Sequence, residues 1–574
     1  MNDTERVFSV AKGERPAELL LRDGRILDVF SGEFFRGDVA VAGGVVTGFA
    51  AAEAAEVVDL AGAWVVPGFV DAHVHLESAQ VAPREFAAAV LPRGTTCVIA
   101  DPHEIANVLG LAGVRYLLEA TADLPLRTYF MAPSCVPATP LETSGAELST
   151  AEVAELLTWP RVLGLGEMMN YPGVLAGDPQ VWAKLAGARG RPIDGHAPGL
   201  TGADLWAYAL VGPGTDHECT ELAEAREKLS AGLHVLIREG TTARNLAALL
   251  PLLTDRSAPF VHLCTDDRHP GTLLAEGHID DLVRKAIAGG VRPETVLAAA
   301  TVHAARCYGL ENLGAIAPGY QADLVVLSDV ERVVVDQVYV AGRRVAHRGR
   351  CVVELAPQRA GWVRGTVRVD PHRLDLSLPA GAGPVRAIGV IPGQVVTEAR
   401  WVQPRLEGGQ VVADPARDLV KLAVVERHRG TGNTGVAMVQ GLGLRRGALG
   451  STVAHDAHNL ILAGENDDDM RTAAQQLARM GGGQVVVAAG EILAELPLPI
   501  AGLMSDRPLA EVARRAEEVT AAAAALGCPL PDPFMTLSFL ALPVIPALKL
   551  TDRGLVDVGS FRLVPPFAQR EAGG

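Results

Sequence analysis

The sequence has no CxxC pair, and its seven cysteines (Cys97, Cys135, Cys219, Cys264, Cys307, Cys351 and Cys528) are scattered and odd in number. Such spacing offers no disulfide framework and reads as free buried thiols in a reducing compartment. Basic charge is also short: 51 Lys and Arg stand against 67 Asp and Glu, a net charge of −16. A chain with that balance lacks the broad basic face that nucleic-acid phosphates or an anionic membrane surface need, whereas a small neutral substrate is compatible with it. No uninterrupted apolar run approaches the ~20 residues that span a bilayer. The opening stretch MNDTERVFSVAKGERP has no apolar core of a secretory signal. The expected location is therefore the cytoplasm.

What is present is an ordinary globular composition, 49% hydrophobic and 21% charged over 574 residues, enough for about three or four domains. Residues 1–66 read as short strands separated by glycines, and a similar β-rich stretch returns at 311–362. Between them, apolar strand-like runs alternate with helical patterns. Eight strands are expected, at 69–76, 95–103, 127–135, 161–169, 192–198, 214–220, 233–240 and 259–267. From His75 to Asp266 the mean step is about 27 residues, close to the ~30 of a βα repeat. The expected fold is α/β: a (β/α)8 TIM-like barrel over 67–310, a small β domain built from both flanks, and a C-terminal α/β domain over 363–574. In that last domain RAIGVIPG and DLVKLAVVERH read as strands, and DDDMRTAAQQLARM and PLAEVARRAEEVTAAAAALG as helices.

Nearly every barrel strand ends in a residue able to bind metal. The first carries His73 and His75 in an HxH pair whose side chains share one face of the strand. Later ends carry Asp101 and His103, Glu167, His196, His217, Glu239, then Asp266 and Asp267. In a barrel these ends converge on one mouth, where active sites form. Asp101 and His103 read either as an auxiliary metal site or as outer partners that orient His73 and His75. Alternation turns Cys264 to the face of Asp266, and Glu218 to the face opposite His217. His262 and His269 read as packing or loop residues. His455 and His458 read as members of a loop or a domain-interface network.

This pattern resembles the amidohydrolase superfamily, with HxH on strand 1, histidines on strands 5 and 6 and Asp on strand 8. Within it, PGFVDAHVHLESA, LPRGTTCVIADPHEIANVLG, GLGEMMNYPGVL, DGHAPGLTGADLWAY, IREGTTARNL and VERHRGTGNTG resemble the adenine deaminases over nearly the whole chain. A departure is Ala79-Gln80, where Ser-Met is expected. The resemblance implies a binuclear centre: His73, His75 and Asp266 on one ion, His196 and His217 on the other. Strand 4, GLGEMM, has no lysine to bridge the two ions, and Glu167 can do so with one oxygen for each. Imidazole and carboxylate without thiolate suit Mn, Fe(II) or Zn, and the resemblance favours Mn2+ or Fe2+. The implied reaction is hydrolysis of adenine to hypoxanthine and ammonia in purine salvage, by a homo-oligomer, in the simplest case a dimer. Asp266 takes the proton of the attacking hydroxide. Glu239, Asp267 and Glu77 are the candidates to protonate N1 or hold the substrate. The signature of the other deaminase design, HxE with PCxxC, is missing. Competing expectations are a cyclic-amide hydrolase, turnover of a related aminopurine, and a purine-binding scaffold with a decayed site.

Overall fold

A computed structural model describes residues 3–51, 53–355 and 361–568. Eight parallel strands stand where the apolar runs alternate with helices. They are β1 (Phe69–Val74), β2 (Thr95–Ala100), β3 (Arg127–Ala132), β4 (Val162–Met168), β5 (Ile193–Gly195), β6 (Thr215–Asp216), β7 (His234–Arg238) and β8 (Val261–Cys264). They pair in chain order as a five-stranded sheet, β1 to β5, and a three-stranded sheet, β6 to β8. Two seams join the sheets. At one, Gly214 N–H donates to the Ile193 carbonyl at 2.8 Å. At the other, Val74 bridges Asp266 in parallel, with Asp266 N–H donating to His73 O at 3.0 Å and His75 N–H to Asp266 O at 3.1 Å. That second seam places the HxH pair and Asp266 side by side.

The barrel interior is closed by small and branched side chains: Val70, Ala72, Cys97, Ile99, Met131 and Leu236 form one buried cluster with Cys264. Burial on both faces is why these strands read as continuous apolar runs rather than as alternation. Cys264 belongs to this packing and does not line the site. Asp266 adopts a left-handed φ of 55°, which breaks the strand alternation that would have grouped the two.

The flanks meet in a single sheet. Strands Trp64–Pro67 and Leu324–Asp329 pair antiparallel, within a nine-stranded sheet drawn from residues 17–67 and 324–351. The stretch 356–360, where the second flank passes into the C-terminal region, lies outside the described residues. The N-terminal residues also form a helix, Asp3–Ala11, which the strand-like reading of that flank did not include.

Beyond it stands a largely antiparallel eight-stranded sheet between Val385 and Pro497. The stretches read as strands appear as Val385–Val390 and Leu419–Val425, and those read as helices as Asp467–Met480 and Leu509–Ala525. The first helix is well punctuated. Asn466 caps it by accepting from Asp469 N–H, three aspartates occupy its positive end, and Gly481 ends it at φ 76°. This domain packs on the barrel mouth through the loop after β1, where Ala82 N–H donates to Ser505 O and Ser505 N–H to Gln80 O, each at 2.8 Å. The departing pair Ala79-Gln80 thus sits at an interdomain contact, with Gln80 at φ 54°.

Candidate metal centre and active site

His73 and His75 project from the end of β1 into a buried cluster at the mouth. Glu167, on β4, divides its two oxygens between two sets of imidazoles. Its Oε1 is 3.6 Å from His73 Nε2 and 3.3 Å from His75 Nε2. Its Oε2 is 2.6 Å from His196 Nδ1 and 3.4 Å from His217 Nε2. Asp266 Oδ1 lies 3.5 Å from His73 Nε2 and 3.1 Å from His75 Nε2. The six predicted ligands therefore meet, and Glu167 spans them.

Several features fit divalent cations. The ligand atoms of His73, His75 and Glu167, and those of Glu167, His196 and His217, lie within 4.8 Å of one another. Both ring nitrogens of His73 and Nδ1 of His217 are buried without a hydrogen-bond partner, which is rare unless a further ligand completes them. Two buried carboxylates among four imidazoles, without thiolate, make a hard-to-borderline donor set. Burial alone would raise the Glu167 and Asp266 carboxyls. The surrounding histidines, and for Asp266 chiefly Arg238, override it and hold both well below the usual carboxylate range, in the form that ligates.

The second layer fixes these groups. The Asp101 carbonyl takes up His75 Nδ1 at 3.0 Å, and Asp101 Oδ2 accepts Glu167 N–H at 2.9 Å. That approach needs Gly166, because a Cβ there would stand 2.2 Å from Asp101 Oδ2. His103 opens the helix His103–Leu109 rather than ending β2, and its Nδ1 is 3.4 Å from Glu167 Oε1. His196 and His217 follow very short strands, so side chains brace them. Tyr208 O–H donates to Met168 O at 3.0 Å and accepts from His196 N–H at 3.1 Å. Asp216 accepts Ala197 N–H at 2.9 Å and pairs with buried Lys228 at 2.8 Å.

Not every predicted residue arrives. Glu239 is turned away: Oε1 pairs with Lys285 at 3.1 Å and Oε2 accepts Leu246 N–H at 3.1 Å. Alternation along β7 explains this, since its neighbour Arg238 faces inward, with Nη1 2.9 Å from Asp266 Oδ2. Arg238 was not singled out from the sequence, where a lone arginine at a strand end carries no signal. Glu218, expected on the far face, points into the site instead. Its Oε1 is 3.4 Å from His217 Nε2 and its Oε2 is 3.1 Å from Arg238 Nη2. It lies beyond the two-residue β6, where alternation no longer applies. Asp267 lines the cavity and accepts the Ser78 hydroxyl. Glu77 lies in a separate cavity of about 20 Å³, where Oε1 accepts Ile105 N–H at 3.0 Å. Burial and the nearby Glu104 push its carboxyl up to about 7. His269 pairs with Asp532 at 3.0 Å, and buried His262 stacks on His234.

The cluster opens into a cavity of about 60 Å³ whose far wall belongs to the C-terminal domain: Val395, His455, Asp456, Phe539, Leu542 and Ile545. His455 and His458 join the domains at this wall. His455 Nδ1 is 2.8 Å from Glu104 Oε1, and His458 Nε2 contacts Glu104 Oε2.

A parallel barrel with a carboxylate-bridged histidine cluster at the C-terminal ends of its strands defines an amidohydrolase, and residues 64–345 match the amidohydrolase family model. The chain belongs, more narrowly, to the adenine deaminase family. Residues 394–562 match the adenine deaminase C-terminal domain, and full-length relatives bear that name. Adenine deaminase 2 of Carboxydothermus hydrogenoformans is 48% identical over 98% of this chain and 100% of its own. Adenine deaminase of Nitratidesulfovibrio vulgaris strain DP4 is 51% identical over 97% of each, and that of Methanothrix thermoacetophila 48% over 98% and 100%. Among the described residues no helix is long and apolar enough to cross a membrane.

Proposed function

We propose that the protein hydrolyses the exocyclic C–N bond of adenine, giving hypoxanthine and ammonia. The observation that carries this reading is Glu167, whose two oxygens serve two sets of histidines inside a cavity closed by the domain that this family carries. His73, His75 and Asp266 would hold one divalent cation and His196 and His217 the other, with Glu167 between them; Mn2+ or Fe2+ suits these donors, and Zn2+ also fits. Bound there, the cations would supply a water ionised near neutral pH and polarise the reacting centre.

The chain's own groups do the rest. Asp266 is kept ionised beside Arg238, so its carboxylate can take the proton of the attacking water. It delivers that proton to the departing amino nitrogen as the C6–N bond breaks. Asp267 is the sole member of the three N1 candidates that lines the cavity; acting as the acid, it would give a proton to N1 as C6 becomes tetrahedral and recover one from the new C6 hydroxyl as the carbonyl forms. Asp101 and His103 act through Glu167 and His75, as outer partners. The C-terminal wall covers the mouth and keeps bulk water out. The surrounding architecture in this reading is a β domain of 1–66 with 311–362, a barrel of 67–310 and a C-terminal domain of 363–574. The place of the reaction is purine salvage in the cytoplasm. The test is ammonia release from adenine by Mn-loaded protein. Stoichiometric hypoxanthine is expected, and no turnover with two ions bound would overturn the reading.

A further inference from the structure

One buried carboxylate on the C-terminal wall is used by nothing described so far. Asp456 is 3% exposed, lines the cavity, and carries a buried Oδ2 without any hydrogen-bond partner. Among the described residues its ion-pair contact is the adjacent His455, 3.7 Å from Oδ1; no arginine or lysine neutralises it. The cavity face beside it is mostly apolar, with Phe539 stacked on the His455 ring at 4.8 Å and 21°, and Leu542, Ile545 and Val395 nearby; away from the cavity lining, the buried Glu142 carboxyl is pushed well up by burial and by Asp456. An unpaired carboxylate oxygen in such a setting costs stability unless a ligand donates to it. A carboxylate can only accept, so the ligand must bring an N–H or O–H.

The reading above fixes which edge of the purine arrives. C6 and its amino group must face the histidine cluster on the barrel side. The N3–N9 edge then faces the C-terminal wall, and in the N9–H tautomer of free adenine that edge bears one N–H, on N9. We infer that Asp456 accepts this ring N–H, with Phe539 and its apolar neighbours against the base, so that the C-terminal domain selects free bases over 9-substituted purines. This rests on the adenine-hydrolysing reading and adds to it a specificity residue outside the barrel.

The test compares adenine with 9-methyladenine, which lacks the donor, in Mn-loaded wild type, Asp456→Leu and Asp456→Asn. Metal content and Tm are measured alongside. The leucine variant should lose about 10- to 100-fold in kcat/KM for adenine, the span of one hydrogen bond to a charged group, and keep its value for 9-methyladenine. The loss should fall on KM, because the contact exists before and during the reaction. Asparagine keeps an oxygen acceptor without the charge, and should lose about 3- to 10-fold on adenine alone. It carries the test if the leucine variant does not fold. An equal loss on both substrates, or none on adenine, would overturn the inference while leaving the reaction standing. Wild type that neither converts nor binds adenine would remove the reaction and the inference together.

Discussion

The two walls of the cavity are built on opposite plans. On the barrel side, histidines and carboxylates crowd together, each steered by a neighbour: His75 by the Asp101 carbonyl, Glu167 by Asp101, Asp266 by Arg238. On the C-terminal side the wall is mostly apolar, with one unpartnered carboxylate oxygen at Asp456. A wall that handles charge needs fixed partners, because unpaired buried charges are costly. One that admits an aromatic base needs shape and a few unsatisfied groups that the ligand completes. On the proposed reading, chemistry accordingly belongs to the barrel and selection to the domain above it.

The most damaging change should be Glu167→Gln. Losing a bridging anion should take metal content from two ions per chain to below one, and activity by more than the ~100-fold that outer partners cost. Retention of two ions would show that charge on this wall is dispensable. Next comes Asp101→Ala, which releases both the Glu167 backbone and a buried acceptor. It should weaken metal affinity by about 10- to 100-fold, read by titration of the apoprotein, with adenine KM nearly constant once metal saturates. Phe539→Ala tests the opposite wall: adenine KM should rise about 10-fold, within the range measured for base–aromatic stacking, with metal content unchanged. A loss of metal instead would merge the two walls into one functional unit. The smallest effect is expected at Glu239→Gln. Its carboxylate pairs with Lys285 outside the cavity, so kcat should stay within about threefold, and any change should appear in Tm, by the ~1 kcal/mol or less of a partly exposed ion pair.

The six residues proposed as metal ligands could be picked out because each lies at or near the end of a strand, and strand ends of a parallel barrel converge. The residues misplaced from sequence went astray for different reasons. Cys264 and Glu218 were each assigned a face by extending a strand, and those strands stop early: β6 has two residues, and Asp266 leaves β8 at positive φ. Glu239 reads as a strand-end ligand, whereas alternation turns its neighbour Arg238 inward, and Glu77 falls in a separate cavity. Arg238 and Asp456 gave no signal, because their environments are assembled from segments far apart in the chain. His455 and His458 were read as members of a loop or a domain-interface network, and their partner Glu104, some 350 residues earlier, was not seen.

By itself, the sequence determined the βα rhythm, the flanking strands, the two long C-terminal helices and the histidines and carboxylates at the barrel mouth, all consequences of local periodicity and composition. Tertiary structure alone decided which oxygen of Glu167 meets which histidines, that Arg238 rather than Glu239 faces Asp266, and that the cavity is closed by the C-terminal domain. Those facts depend on side-chain direction at strand ends and on contacts hundreds of residues apart, and neither is written in any local pattern.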